Sequence, residues 1–172
     1  PYSDEQGEID LVDLIVGSEG IFGLITSATF RLKEMPDEFL NLFFTLINEA
    51  DAVKFHKYIS DYFKGDLSHI TALEYFGYNC QNYMDHREKL FQSDSEVGVY
   101  LQIPLYDQKV EEVAESWLNV LLLSKCGIQE NSILLLNNPH DWQIFFEARH
   151  SIPANALEKT HRLDTLSILT DT

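Results

Sequence analysis

Two stretches of the sequence hold residue types at spacings that suit chemistry. The first is Gly17-Ser-Glu-Gly-Ile-Phe-Gly-Leu-Ile-Thr26, which carries three of the chain's eight glycines. Glycine lets a backbone turn left-handed and pass close to a ligand, and exposed amides in such a turn can hold phosphate oxygens. A plain glycine-rich loop between two strands fits the same spacing. The G-x-G-x-x-G order of a dinucleotide-binding turn is missing, and no helix follows. The second is Arg149, seven residues after Trp142 and four after Phe145. That spacing sets it on the apolar face of an expected helix. That is an unusual place for a freely solvated arginine; read from the residues alone, it snorkels or pairs with an acid at the rim of the core.

Other reactive side chains carry less. His150 points about a quarter-turn away from Arg149 and is a secondary candidate. His56, His69, His86, His140 and His161 form no metal or catalytic spacing and read as loop or helix-surface residues. Cys80 and Cys126 match neither a zinc nor a redox motif, so a reducing, cytoplasmic compartment is expected. Lys and Arg total 12 against 28 Asp and Glu, a formal net charge of -16. A nucleic-acid binder needs a basic patch to displace counterions, and an anionic membrane surface would repel this chain. No run approaches the ~20 apolar residues of a membrane-spanning helix. The 172 residues open at Pro1 and end at Thr172, and a piece of a longer protein is expected.

The elements that must position these residues can be read from periodicity. Residues 3–10 read as polar loop, and Leu24 to Leu32 as a strand by its β-branched, alternating residues. Met35-Pro36-Asp37 marks a boundary, giving an expected first unit of residues 1–35 and a second of 36–172. In the second, Phe39 to Ile47 reads as a strand and Asn48 to Lys64 as a helix capped by Asn48. Ser68 to Phe76 is a second strand, and a polar connection with possible helix runs from Asn79 to Phe91. Glu96 to Leu105 is a third strand, Gln108 to Lys125 a helix, and Ser132 to Leu136 a fourth strand. A last helix starts near Pro139 and should break or kink at Pro153. The order is βαββαβ. It predicts an α+β fold, a ferredoxin-like antiparallel sheet with helices packed on one face.

The glycine segment, read as Val16-Gly-Ser-Glu-Gly-Ile-Phe-Gly-Leu-Ile-Thr-Ser-Ala-Thr-Phe-Arg-Leu32, resembles the close of the FAD-binding domain in FAD-linked oxidases of the vanillyl-alcohol oxidase type. The D-lactate, glycolate and D-2-hydroxyglutarate dehydrogenases are the nearest in style. Ile21-Phe22 departs mildly from their pattern and keeps its apolar character. The resemblance implies that Gly17, Ser18, Glu19, Gly20, Gly23 and Ile25 lie against FAD, although Glu19 could equally brace the loop. It implies a remnant of the FAD-binding domain followed by a substrate-covering cap domain, truncated at its C-terminal end. Phe145-Phe-Glu-Ala-Arg-His-Ser-Ile-Pro153 resembles the family helix whose arginine holds the substrate carboxylate, and Arg149 is the matching position. The base that completes the reaction lies outside this chain by the same resemblance, and the isolated piece is expected to be inactive.

The implied partners are a small hydroxy acid and the rest of the parent chain, with a homodimer open. Two other readings stay open. One is a cofactor-free binding or oligomerisation module, pairing through Phe43, Tyr75 and Tyr100 if they fall on an open sheet face. The other is an FAD oxidase acting on an alcohol, phenol or sugar.

Overall fold

Strand β1, Glu38–Leu46, holds the consecutive apolar residues Leu42, Phe43 and Phe44, and its last five residues are all buried. A strand with one wet face would alternate; a continuous apolar run is the mark of a strand covered on both faces. The computed structural model, which describes residues 11–160, shows how both faces are covered. The chain divides between Met35 and Pro36 into two units. The loop reading of residues 3–10, the tail beyond Thr160 and His161 lie outside the described residues.

The second unit is built on a four-stranded antiparallel sheet in the order β2-β3-β1-β4. Its strands are β1, β2 (Ala72–Phe76), β3 (Val97–Leu105) and β4 (Ile133–Leu135). Helix α2 (Glu49–Tyr62) links β1 to β2, and α4 (Val110–Leu123) links β3 to β4. Asn48 caps α2, its side-chain oxygen accepting from the Asp51 amide at 3.1 Å. Between β2 and β3 lie a 3-10 turn (Tyr78–Tyr83) and the four-residue helix α3, Arg87–Leu90. β2 starts later than the sequence suggests because Asp66 accepts the Ser68 amide at 3.0 Å and Ile70 bonds back to Leu67. These turn bonds occupy the backbone that would otherwise extend the ladder.

Register decides which side chains meet. β1 pairs with β3 through Leu42↔Leu101 and Phe44↔Val99, and this parity faces α2 and α4. Leu40, Phe44, Phe55, Ile59, Leu101 and Leu121 form that core, each at most 1% exposed. The opposite parity carries Phe43, Phe76 and Tyr100, and a third helix covers it: α5, Pro139–Thr160. Phe43 is the hub there. Its ring centroid lies 6.0 Å from Phe76, 5.6 Å from Phe91 and 5.5 Å from Phe145. Gly98 keeps room for this hub, since a Cβ at that position would sit 2.7 Å from Phe43 Cζ.

Three expectations are corrected. Helices do not pack on one face only: α2 and α4 share a face, and α5 takes the other. Phe43 and Tyr100 are therefore buried rather than open for pairing, and Tyr75 points to the other side. Helix α5 also runs through Pro153 without ending. Proline removes one helical hydrogen bond, the one the Arg149 carbonyl would accept; Pro153 itself is exposed.

The third correction falls in the first unit. Among its described residues the regular structure is the single turn of α1, Leu11–Ile15, followed by turns to Phe22. Residues 24–32 are not a strand and pair with none of the described residues; Leu24 is 86% exposed and Leu32 89%. A strand forms through its ladder, and β propensity without a neighbour to bond is not enough.

Candidate functional site

Arg149 projects from α5 toward the outermost strand β2. Its Nε donates to Glu74 Oε2 at 2.7 Å and its Nη2 donates to Glu74 Oε1 at 2.8 Å. This is a bidentate, side-on pair, the strongest geometry for guanidinium and carboxylate. The side chains are 40% and 32% exposed. Phe145, one helical turn earlier, stacks on Tyr100 at 4.8 Å and fixes the helix against the sheet.

Glu74 is the register partner of Tyr100, and Gln102 that of Asn41. These side chains share the α5 face and are wired together. Tyr100 donates its hydroxyl to Asn41 Oδ1 at 2.8 Å, and Gln102 Nε2 donates to the same oxygen at 3.1 Å. Asn137 closes the cluster, accepting the Asn41 amide at 2.9 Å and donating to the Phe39 carbonyl at 2.7 Å. The result is a polar floor beside the aromatic core, with Arg149 its one cation acting on Tyr100 among the described residues.

The electrostatics follow from burial. Burial pushes the Tyr100 hydroxyl up to about 12, with Glu74 adding to the rise and Arg149 opposing it. The Glu74 hydrogen bonds raise Arg149 further above its ordinary value. Both groups thus keep their neutral pH state, one a neutral donor, the other a cation.

The Tyr100 shift carries a stability prediction. A folded value near 12 against an ordinary 10 means the folded state holds this proton more tightly. The stabilisation is present below pH 10 and is lost as pH rises toward 12. Tyr100 is 4% exposed, and two units correspond to roughly 2–3 kcal/mol. Urea midpoints for the wild type should fall between pH 9.5 and 11.5 by an amount that Tyr100→Phe lacks (the pH range is set by the roughly two-unit shift).

The remaining candidates are placed as follows. His150 is exposed, with Nδ1 2.9 Å from the Phe146 carbonyl and its ring 3.9 Å from the Phe146 ring. It stands apart from the Arg149–Glu74 pair. Gly17, Glu19, Gly20 and Gly23 all have positive φ, at 78°, 51°, 84° and 147°. Ser18 donates its amide to Ile15 and accepts from the Ile21 amide at 2.9 Å. These bonds curl the segment into successive turns, with every residue from Gly17 to Ile25 exposed except half-buried Ser18. Cys80 is half-buried, its thiol pushed up to about 11 by burial, and Cys126 is buried.

Sequence reasoning missed Glu74, Asn41, Gln102 and Asn137. A signal was present: Asn41 and Gln102 are polar interruptions in apolar strands, and the register puts both on one face. Two grooves lie on the other face. One of about 510 Å³ runs between α2 and β2, lined by Ala52, Phe55, Leu73 and Tyr75. Another of about 690 Å³ lies between the end of α2 and the start of α4, against Phe63 and Trp117. Glu74 alone of the Arg149 cluster borders the first. Among the described residues no group of three His, Cys, Asp or Glu is placed to hold a metal ion. No helix among them is long and apolar enough to cross a membrane. The sequence matches no protein-family model and no curated protein.

Proposed function

We propose that the chain is the closing edge of an FAD-binding domain and the cap domain of a flavin-dependent oxidoreductase acting on a 2-hydroxy acid. The observation that carries this reading is Arg149, held by its inner edge to Glu74, with no hydrogen bond to Nη1 from any of the described residues. Support also comes from the Gly17 to Leu32 resemblance. The strand order β2-β3-β1-β4 with every pair antiparallel supports the ferredoxin-like reading of the second unit.

The residues present fit the cofactor. Gly17, Gly20 and Gly23, all at positive φ, leave exposed backbone without a side chain at three points of the 17–23 turns, and such points suit close approach to a pyrophosphate. Gly17, Ser18, Glu19, Gly20, Gly23 and Ile25 would supply the contact. When bound, FAD supplies the hydride acceptor. This chain's own residues do the rest of the positioning. Arg149 binds the substrate carboxylate, and Tyr100, kept neutral, with Asn41 and Gln102 forms a hydrogen-bonding floor. The acid-base group comes from elsewhere in the parent protein.

The test is an absorption spectrum of the full-length protein, followed by addition of glycolate, D-lactate and D-2-hydroxyglutarate. Bound flavin that bleaches with one of them supports the reading. A colourless protein that FAD does not reconstitute overturns it. One observation favours a second reading: Arg149 already holds a carboxylate, which suits an uncharged alcohol, phenol or sugar. Bleaching by such a substrate and by no hydroxy acid would select it.

A further inference from the structure

We propose that Glu74 is a positioning residue that presents the outer fork of Arg149 to a single substrate carboxylate; the inference rests on the function proposed above. A guanidinium has five N–H donors. Glu74 takes the Nε hydrogen and one on Nη2. The hydrogens that remain are two on Nη1 and one on Nη2, and their outer pair forms an end-on fork of the shape a carboxylate accepts. No group among the described residues bonds to Nη1.

The arginine is fixed at two points. Its base is set by Phe145, which stacks on Tyr100 one turn earlier in α5. Its tip is set by Glu74, which the sheet holds in register with the same tyrosine. Tyr100 is itself tied down by Asn41 and Gln102. A long flexible side chain gains most from such fixing, because less rotamer freedom is lost when the substrate arrives. The pair is also neutral overall. One incoming carboxylate finds directed donors there rather than a bare cation.

The experiment uses the flavin-loaded full-length protein and the hydroxy acid that bleaches it. Glu74→Gln keeps the side chain's size and removes its charge; Glu74→Asp keeps the charge and shortens the reach. Glu74→Gln should raise KM by about 10- to 100-fold, with kcat far less affected and the flavin spectrum unchanged. Glu74→Asp should fall between it and the wild type. Glu74→Ala adds a readout that a merely structural role would not move. Acetate should compete with substrate in the wild type, at the outer fork, but lower KM in Glu74→Ala by filling the vacated inner edge. A bleachable wild type whose KM is unchanged in both Glu74→Gln and Glu74→Asp overturns this inference alone. A wild type that no hydroxy acid bleaches overturns the proposed function and this inference with it.

Discussion

Replacing Phe145 by alanine lowers the unfolding free energy by about 3–5 kcal/mol, the range for a large ring removed from a closed core. Phe145 is 1% exposed and touches four rings: Phe43, Phe76, Tyr100 and Trp142. Those neighbours come from three strands' worth of sheet and from α5 itself, so the cavity cannot close by moving one side chain. Chemical denaturation should show a lower midpoint with an unchanged slope, since the surface exposed on unfolding stays the same. The adjacent Phe146 supplies the control. It is 47% exposed, and Phe146→Ala should cost less than about 1 kcal/mol. Equal losses at the two positions would mean that α5 does not pack as described.

The second large effect is on activity. In the full-length protein, Arg149→Met should lower kcat/KM for a hydroxy acid by about two to three orders of magnitude, as removal of a charged partner does. Methionine keeps the unbranched stem and drops the donors. Flavin absorbance should stay, because none of the residues assigned to the cofactor is touched. Stability should change little: a pair this exposed contributes about 0–1 kcal/mol. Rapid bleaching by a hydroxy acid in this variant would remove Arg149 from the substrate site.

The regular elements of the second unit were legible because each has its own periodicity. Val97, Val99, Leu101 and Ile103 alternate onto one face of β3, and Asn48 announces the start of α2. The covered second face was also legible, in Leu42-Phe43-Phe44, which sets large apolar side chains on both faces of β1, but reading the sheet as open on that side ran against it. Residues 24–32 misled because their composition is that of a strand while pairing is a property of neighbours. Pro153 misled because the loss of one helical hydrogen bond is set against the packing of α5 on the sheet through Phe145, Ala148 and Ile152. Arg149 stood out as a charge on an apolar face. Its partner did not, because the contact joins β2 to α5 across 75 positions of sequence, and only the register and the docking of α5 bring them together.

The Arg149–Glu74 pair has a consequence for assembly. β2 pairs on one side only, with β3, so its other row of backbone groups is a template for any extended chain that drifts near. A charge seated on an outer strand obstructs such templated growth. Glu74 seats one there, and Arg149 keeps it from swinging aside. At the far end of the sheet, β4 offers three residues, too short a run to recruit a partner. The sheet is therefore guarded against fibrous stacking by charge on one margin and by brevity on the other.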